Sequence, residues 1–343
     1  MKAAVIRSFG GPEVLKVEEV PTPEPGPGEV LVKVLGALVN RLDHYIRQGD
    51  ITTELTFPHV LGLDAVGEVA ALGADVGQFQ LGQRVFAMPG YPADAKEFGI
   101  RPTTIAPSYS MRGLQLPGSY AQYIVIPQEF VLPDTTGLPI EEAASLPVPF
   151  LTALNAVQIV GEVKEGDFVL VHAGGSATGL MSIQIARTLG ARVATTVRTS
   201  ESAKVAESAG AELVINTRES DFAEAISKWT SGRGVDVAID SLGGDSFEKT
   251  INAVKVRGII VAMGFMSGTE VKFDIRNFFF GLKQIRGSLT ADIEDFALWL
   301  DRIRDGEVKA IVDCALPLDQ ASKAHELVSQ NIAKGGVVLL PWG

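Results

Sequence analysis

Between residues 168 and 263 the sequence alternates short apolar runs with longer segments that have helical spacing. The apolar runs are nearly continuous, which is typical of strands whose two faces are both covered by helices. A helix between successive strands makes those strands pair in parallel, through right-handed crossovers. The alternation therefore predicts a doubly wound α/β sheet. Strands are predicted at 168–171, 193–197, 213–215, 235–239 and 259–263, and helices at 180–189, 203–209, 222–229 and 247–254.

The sequence before this region has a different texture, because short β-rich runs alternate with turn residues. The proline-dense segment 21–28 cannot form a central strand or a helix, so we interpret it as an extended surface connector. After residue 288 the pattern predicts helices at 292–304 and 318–330 and a strand at 337–340. At roughly 150 residues per domain, a chain of 343 residues suits two domains. The first of them is predicted as a partly open β-barrel or sandwich, with runs at 2–9, 15–20, 29–39, 65–72 and 120–126.

The first strand of the α/β region leads into a turn of small residues, and a helix opens at about Ala177. The turn has the spacing Gly-x-Ser-x-x-Gly, which is the dinucleotide-binding fingerprint with its middle glycine replaced by serine. Such a turn lets backbone N–H groups and a helix N-terminus approach a pyrophosphate closely. Its position between a strand and a helix favours this function over a plain turn. The predicted phosphate-binding residues are Gly174, Ser176, Ala177, Thr178 and Gly179.

The end of the second predicted strand indicates which dinucleotide is bound. An NAD site has an acidic residue about 20 positions after the glycine turn, where it holds the ribose hydroxyls. Here Thr196 and Val197 occupy that place and Arg198 follows, without a carboxylate. A guanidinium binds phosphate in a fork, so we predict NADPH rather than NADH, although Arg198 could instead be a solvated loop charge. The residues predicted for the 2′-phosphate end are Thr196, Arg198, Thr199, Lys204 and, from the C-terminal segment, Lys334.

The composition limits the classes of partner. A formal net charge of −11 argues against nucleic-acid binding, which needs a basic face. No apolar run reaches the ~20 residues of a membrane span, and residues 1–7 place a charge inside an apolar stretch, unlike a signal peptide. Cys314 is the only cysteine, which excludes a disulfide scaffold and a cysteine-cluster metal site. We therefore expect a cytoplasmic protein that binds a small molecule, without nucleic acid or membrane.

Six motifs follow one another along nearly the whole chain. They are Pro25-Gly-Pro-Gly-Glu-Val-Leu-Val-Lys33, Asn40-x-x-Asp43-x-Tyr45-x-Arg47-x-Gly49, Gly62-Leu-Asp64-x-x-Gly67-x-Val69, Gly118-Ser-Tyr-Ala-Gln-Tyr123, Val235-Asp-Val-Ala-Ile-Asp240 and Gly335-Gly-Val-Val-Leu339. In order and spacing the chain resembles the medium-chain dehydrogenase/reductase superfamily, in its zinc-independent quinone oxidoreductase branch. The resemblance implies a GroES-like β-rich catalytic domain at 1–149 and 290–343, with a doubly wound Rossmann NADPH-binding domain inserted at 150–289. It also implies an active site in the cleft and a homodimer, for which 256–263 and 269–273 are candidate pairing edges.

The resemblance allows the question of zinc to be treated position by position. Zinc-dependent relatives ligate the catalytic metal through a Cys, a His and a further Cys or Asp. The matching positions here hold Asn40, Leu63 and about Val148; Leu and Val have no ligand atom, and Asn is a poor zinc ligand. The segment 88–117, where the structural zinc lobe would lie, has no cysteine. We therefore predict no native catalytic zinc, and the groups that could in principle improvise a site are His44, His59 and Asp64.

Without a metal Lewis acid the reduction of a simple ketone is harder, whereas hydride transfer to a conjugated acceptor spreads charge into a quinol or enolate. Such a charge needs hydrogen-bond donors and eventually a proton. The predicted catalytic residues are Asn40, which can donate from its amide, Tyr45, which can donate from its hydroxyl, and Asp43, which we expect to orient its neighbours. The alternative is that Tyr45 only lines the wall of the site and that the Asn40 side chain only forms hydrogen bonds with nearby backbone groups.

The resulting functional prediction is a zinc-independent, NADPH-dependent oxidoreductase that transfers hydride to a quinone or an α,β-unsaturated carbonyl. Two alternatives remain open, which are a ketone or aldehyde reductase of the same fold and an NADPH-binding protein with little catalytic activity. The segment 88–118 is longer than expected in this branch, and it is either a mobile surface loop or a substrate lid or oligomer contact. The aromatic run 278–280 is interpreted as core or pocket wall.

Overall fold

The computed structural model describes the whole chain, from Met1 to Gly343. Its residue contacts divide the chain into two compact units. The first unit comprises 1–148, 292–305 and 310–343, and the second comprises 149–291 together with 306–309. The second unit is therefore inserted into the first along the sequence.

The first unit is rich in short strands. They are β1 (Lys2–Ile6), β2 (Lys16–Glu19), β3 (Glu29–Leu38), β4 (His59–Val60), β5 (Ala65–Leu72), β6 (Arg84–Ala87), β7 (Gly90–Pro92), β8 (Tyr109–Met111), β9 (Tyr123–Pro127), β10 (Val131–Pro133), β17 (Val312–Pro317) and β18 (Gly336–Leu340). Its helices are α1 (Arg41–Gln48), α2 (Ile140–Ala144), α9 (Ile293–Arg304) and α10 (Ala321–Ser329), and α3 (Pro147–Leu154) begins in it. The proline-dense segment 21–28 forms neither strand nor helix, as predicted.

Strand β3 lies at the centre of the largest sheet of the first unit. This seven-stranded sheet has the order β10-β6-β5-β3-β18-β17, and β9 also pairs with β3. Alternate residues of β3 are fully buried, which is the period of two that a strand requires. Strand β18 pairs with β3 through Val338 and Leu38, and the Trp342 indole Nε1 donates to the carbonyl O of Val34 at 2.9 Å. The C-terminal segment therefore completes the β-rich unit, as predicted.

The second unit contains one parallel sheet covered by helices. Its strands are β11 (Phe168–Val171), β12 (Arg192–Val197), β13 (Leu213–Asn216), β14 (Val235–Asp240), β15 (Val254–Ala262) and β16 (Gln284–Gly287), and its helices are α4 (Ala177–Thr188), α5 (Ser200–Ser208), α6 (Phe222–Trp229), α7 (Phe247–Ala253) and α8 (Ile275–Phe280). The order β13-β12-β11-β14-β15-β16 confirms the doubly wound sheet. The direction of winding reverses between β11 and β14, and ligands of such sheets bind beyond the carboxyl ends of the strands at that point.

Two expectations about the edge of this sheet were wrong. Strand β15 has a partner on each side, so 256–263 is not an edge, and 269–273 forms no strand. The free edge is β16, which is too short and too polar for its periodicity to be recognised in the sequence. Phe279 and Phe280 are not core residues, because they are 66% and 76% exposed next to this edge.

The segment 88–118 is anchored to its own unit at several points. Tyr91 stacks on Phe130 with ring centroids 5.1 Å apart, and the N–H of Thr103 donates to Asp292 at 2.8 Å. Arg112 is fully buried, and its Nη2 donates to the carbonyl O of Val125, outside the segment, at 3.5 Å. These buried contacts do not fit the interpretation of the segment as a free surface loop.

The helices of both units are short, and the longest two, α4 and α9, have 12 residues each. None of them has both the length and the apolar composition needed to cross a lipid bilayer.

Candidate functional site

The turn after β11 has the shape of a phosphate-binding turn, in which the glycines serve close packing and a neighbouring alanine makes the tight bend. The left-handed residue of the turn is Ala173, with φ of 54°, and not Gly174. Gly174 is required for close packing, because a Cβ there would collide with the side chain of Thr195 on β12. The N–H of Gly174 donates to the carbonyl O of Thr196 at 2.9 Å, which holds the turn against the neighbouring strand.

Helix α4 begins at Ala177, as predicted, and Ser176 is its N-cap. The Ser176 hydroxyl donates to the carbonyl O of Ala173 at 2.8 Å and accepts from the N–H of Gly179 at 3.1 Å. A Cβ at Gly179 would collide with the carbonyl oxygen of Ala173, so only glycine lets the helix start so close to the turn. The N–H groups of Ala177 and Thr178 have no intrahelical acceptor and point out of the helix end, where an anion is favoured.

The loop after β12 lies beside this turn. A Cβ at Gly175 would meet the Cβ of Ser202 at 2.7 Å, so the turn touches the first turn of α5. Thr199 is the N-cap of α5 and accepts from the N–H of Ser202 at 3.2 Å. Arg198 and Lys204 are exposed on this loop and helix, and neither forms an ion pair with a carboxylate of the chain. Two unpaired basic groups therefore lie next to the glycine turn.

Two other residues predicted to bind the cofactor are engaged elsewhere. Thr196 is only 3% exposed, and its hydroxyl contacts His172 Nδ1 at 3.0 Å and accepts from the N–H of Ala173 at 3.3 Å. This hydroxyl faces the interior of the second unit, so the expectation that it faces a phosphate is wrong. Lys334 belongs to the first unit, where its Nζ donates to the carbonyl O of Asn331 at 3.1 Å.

In the first unit, Asn40 follows β3 and is the N-cap of α1. Asn40 and Asp43 form a capping box, in which each side chain accepts the backbone N–H of the other residue. The Asn40 Nδ2 donates to Asp64 Oδ2 at 2.5 Å. An amide nitrogen carries two hydrogens, so one of them remains for another acceptor.

Asp43 is fully buried and gathers donors from three parts of the unit. Its Oδ2 accepts from the N–H of Asn40 and from the hydroxyl of Tyr120, both at 2.8 Å, and its Oδ1 accepts from the N–H of Gly62 at 3.1 Å. Burial raises the pKa of Asp43 to about 7, although these hydrogen bonds act in the opposite direction. Asp43 therefore has the contacts of a residue that orients its neighbours.

Asp64 is the second buried carboxyl of this cluster. It accepts from the Asn40 amide and, through Oδ1, from the N–H of Val148 at 2.6 Å. Burial raises the pKa of Asp64 to about 8, and the nearby Asp43 adds to the shift. Two carboxyl groups joined through Asn40 can therefore hold a proton at neutral pH.

Arg47 is fully buried in the same unit without a carboxylate partner. Its Nε donates to the carbonyl O of Gly10 at 3.0 Å, and its two Nη atoms contact Nδ1 of His325 at 2.9 Å and Nδ1 of His44 at 3.0 Å. A guanidinium has only donors, so both Nδ1 atoms accept and both imidazoles carry their proton on Nε2. Burial lowers the pKa of His44 to about 4 and moves that of His325 well below its usual value. The Nε2 of His325 is buried without a partner.

The residues at the positions of the zinc ligands do not fit a zinc ion. Leu63 is apolar and fully buried, Val148 contributes only its backbone N–H, and the Asn40 amide is bonded to Asp64. No group of three or more His, Cys, Asp or Glu side chains is placed to hold a metal ion. These positions therefore lack the donor set with which the zinc-dependent relatives hold their metal.

Tyr45 lies on α1, two residues after Asp43, and is half-buried with its ring centroid 5.5 Å from that of His44. A cleft of about 490 Å³ opens on the same unit. Its walls come from the segment 51–59, which follows α1, and from Leu114 and Gln115 of the segment 88–118. A cleft of this size suits a small molecule.

Known proteins resemble both units. The family described as alcohol dehydrogenase GroES-like domain matches residues 26–139, and the family described as zinc-binding dehydrogenase matches residues 177–305. A 2-haloacrylate reductase of Burkholderia sp. is 32% identical, over 99% of this chain and 98% of the relative. The chain belongs to the medium-chain dehydrogenase/reductase superfamily. Within the superfamily it is quinone oxidoreductase-like, since a quinone oxidoreductase of Pongo abelii is 28% identical over 99% of this chain and 98% of the relative.

Solved structures of the superfamily confirm the predicted fold, a GroES-like domain together with a Rossmann domain. The crystal structure of an NAD-dependent alcohol dehydrogenase superposes with a TM-score of 0.95 and 36% identity, over 99% of both chains. The native structure of a mycobacterial protein complexed with NADPH superposes with a TM-score of 0.83 and 31% identity, over 99% of this chain and 100% of that one. The protein is therefore an oxidoreductase with a Rossmann-type nicotinamide site. The two structures differ in cofactor, so the fold does not choose between NADH and NADPH.

The sequence analysis assigned no role to Tyr120, Arg47 or His325, and it named Asp64 only as a possible metal ligand. Tyr120, Arg47 and Asp64 stand in the superfamily motifs, so the motifs could have indicated that they cluster. His325 lies outside every motif, and it meets Arg47 across 278 positions of the sequence. Only the fold brings it there.

Proposed function

We propose that this oxidoreductase uses NADPH to reduce a quinone or an α,β-unsaturated carbonyl. The observation that carries the proposal is the hydrogen-bonded cluster at Asn40, where a zinc-dependent relative would have its metal ligands. Amide and hydroxyl donors can stabilise the delocalised charge of an enolate or a quinol, whereas a localised alkoxide needs a stronger electrophile. We therefore propose acceptors whose reduction spreads the negative charge, which are quinones and α,β-unsaturated carbonyls.

The choice of NADPH rests on the loop after β12. Arg198 and Lys204 are exposed, without carboxylate partners, and next to the glycine turn, and Thr199 begins α5 between them. A guanidinium and an ammonium at this place suit a phosphate on the ribose better than free hydroxyls. The N–H groups of Ala177 and Thr178 would hold the pyrophosphate. Bound NADPH supplies the hydride.

The acceptor would be held by groups of the first unit. The second Nδ2 hydrogen of Asn40 and the hydroxyl of Tyr45 are the donors that we assign to the oxygen of the acceptor, and the cleft along 51–59 would take its remaining part. Asp43 and Asp64 fix Asn40 in place, and the proton that the pair retains keeps two negative charges from facing the developing oxyanion.

A panel of NADPH-oxidation assays with product identification tests the proposal. Quinones, enones and plain ketones are supplied in turn, and the expected products are a quinol or a saturated carbonyl. An alcohol as the main product would favour the ketone or aldehyde reductase instead, which the similarity to an NAD-dependent alcohol dehydrogenase keeps as the second candidate. Tight NADPH binding with no oxidation by any acceptor would identify a binding protein with little activity.

We also propose that the protein forms a homodimer through the free edge of the second unit. Strand β16 has unpaired backbone groups on one side, and Phe280 and Leu282 beside it are 76% and 63% exposed. Analytical ultracentrifugation should show a dimer that Phe280→Asp dissociates. Leu298→Asp, at an equally exposed leucine of α9 in the first unit, is the control. A monomer at all concentrations would contradict the proposal.

A further inference from the structure

His172 is the residue after β11, and it is fully buried between two threonines. Its Nδ1 lies 3.0 Å from Oγ1 of Thr196, and its Nε2 lies 2.9 Å from Oγ1 of Thr250. The edge of its ring faces Phe222, with centroids 5.0 Å apart at 82°. Both nitrogens of this enclosed ring therefore have a hydrogen-bond partner in place of water.

The donors and acceptors around His172 determine where its proton lies. The Thr250 hydroxyl donates to Oδ2 of Asp240 at 2.9 Å, so the same oxygen can only accept from His172, and Nε2 must carry the hydrogen. Burial lowers the pKa of His172, against the influence of Asp240, and the imidazole is therefore neutral. Its Nδ1 then accepts from the hydroxyl of Thr196.

The ends of this chain of hydrogen bonds are two backbone loops. At one end the Thr196 hydroxyl accepts from the N–H of Ala173 in the glycine turn. At the other end, Oδ1 of Asp240 accepts from the N–H groups of Leu242 and Gly243, both at 2.8 Å. The Thr196 hydroxyl and the His172 Nε2–H therefore each have one acceptor, and the Thr250 hydroxyl has Asp240 at 2.9 Å and, at the longer distance of 3.3 Å, the carbonyl O of Ser246.

The chain of hydrogen bonds crosses the carboxyl ends of β12, β11 and β14. It thus spans the gap between β11 and β14 where the winding of the sheet reverses and no crossover helix ties the two loops together. The N–H of His172 also donates to the carbonyl O of Ile239 at 3.0 Å, so its backbone joins the same two strands. The His172 ring therefore joins the two halves of this chain of bonds.

We propose that His172 is a positioning residue of the dinucleotide site, which holds the glycine turn and the loop after β14 in one fixed arrangement. This inference rests on the proposed binding of NADPH at the turn. Imidazole is suited to this position because a rigid ring can accept at one nitrogen and donate at the other. Leucine could fill the space but would leave Thr196 and Thr250 without their partner.

The test compares NADPH dissociation constants of matched variants by fluorescence titration. His172→Leu should raise the Kd at least tenfold and Thr250→Val about fivefold, while the KM of the acceptor stays within twofold. The double variant should bind no more weakly than His172→Leu alone, because both changes break the same chain of bonds. Thr230→Val is the control, since Thr230 is also a buried threonine bonded to the carbonyl four residues before it, at the opposite end of β14. It should lower the melting temperature but change the Kd less than twofold.

A spectroscopic measurement separates positioning from a general loss of stability. The ¹⁵N spectrum of the wild-type protein at pH 7 should show His172 as the neutral Nε2–H tautomer. An Nδ1–H tautomer, a Kd for His172→Leu within twofold of wild type, or equal effects of Thr230→Val and Thr250→Val would overturn the inference and leave NADPH binding untouched. Wild-type protein that binds neither NADPH nor NADH would overturn the proposed function, and this inference with it.

Discussion

Two buried polar networks, one in each unit, differ in how completely their groups are hydrogen-bonded. In the second unit, the hydrogens from Thr196 through His172 and Thr250 to Asp240 all have defined acceptors. In the first unit, two buried carboxyls are linked through one amide, and the buried His325 Nε2 has no partner. In the network of the second unit every polar group is hydrogen-bonded, whereas the network of the first unit has a buried nitrogen without a partner.

This difference matches the roles that we propose for the two units. A saturated network has one arrangement of protons, so it gives a rigid surface on which a cofactor can be bound without reorganisation. A network with raised carboxyl pKa values can gain or lose a proton near neutral pH, which is the property that reduction of a carbonyl or quinone requires. Rigid binding and proton exchange are thus assigned to different parts of the molecule.

The largest expected effect comes from distorting the rigid surface. Gly179→Ala places a Cβ against the carbonyl oxygen of Ala173 and pushes α4 away from the turn, so the NADPH Kd should rise at least thirtyfold by calorimetric titration. Gly287→Ala in the same unit, where a Cβ would meet nothing within 4 Å, should change the Kd less than twofold. Equal affinities for the two variants would show that the turn is not the binding surface.

Removing a donor from the first unit should leave binding intact and slow turnover. Tyr45→Phe should lower kcat at least tenfold, because the hydroxyl assigned to the acceptor oxygen is lost, while the NADPH Kd stays unchanged. Tyr123→Phe is the control. Tyr123 lies on β9 and packs its ring edge-on against Trp342, and we assign its hydroxyl no role in catalysis. An unchanged kcat in steady-state assays would remove Tyr45 from the mechanism.

The basic loop after β12 should affect only one cofactor. Arg198→Gln removes a charged donor from the proposed 2′-phosphate, so the Kd for NADPH should rise about tenfold and that for NADH should not change. Wild-type protein should bind NADPH more tightly than NADH in the same titration. Comparable wild-type affinities would contradict the choice of NADPH.

The smallest effect is a change in the slope of stability with pH. The pKa of Asp64 is about 8 in the folded protein against an ordinary 3.8, so its contribution to stability is complete below about pH 4 and is lost as pH rises through 8. Asp64→Asn should therefore flatten the fall in melting temperature between pH 5 and 9, even though one hydrogen bond is lost at every pH. Asp319→Asn, at an exposed aspartate, should keep the wild-type slope.

The contribution of His44 to folding stability changes with pH in the opposite direction to that of Asp64. Its pKa is lowered to about 4, so its contribution is complete above about pH 6.5 and is lost as pH falls through 4.

The sequence predicted the parts of the molecule that depend on local pattern. The parallel strands, the start of α4 at Ala177 and the exposed Arg198 follow from apolar periodicity and turn chemistry, which act over a few residues. The free edge at β16 could not be predicted, because a strand of four residues in which Ile285 is the one large apolar side chain is too short to show strand periodicity. The inward-facing hydroxyl of Thr196 also depends on His172, which is 24 positions away and meets it only when the sheet forms.

The pairing of β18 with β3 has a consequence for synthesis on the ribosome. Strand β3 is made early, yet the register of Leu38 against Val338 cannot form until the chain has grown by 300 residues. The second unit is nearly complete at residue 291, so it can fold while the first unit still lacks a neighbour for its central strand. In that interval the rest of β3 can already pair with β5 and β9, whereas Ala37 and Leu38, at its C-terminal end, still lack the strand that covers them in the finished protein.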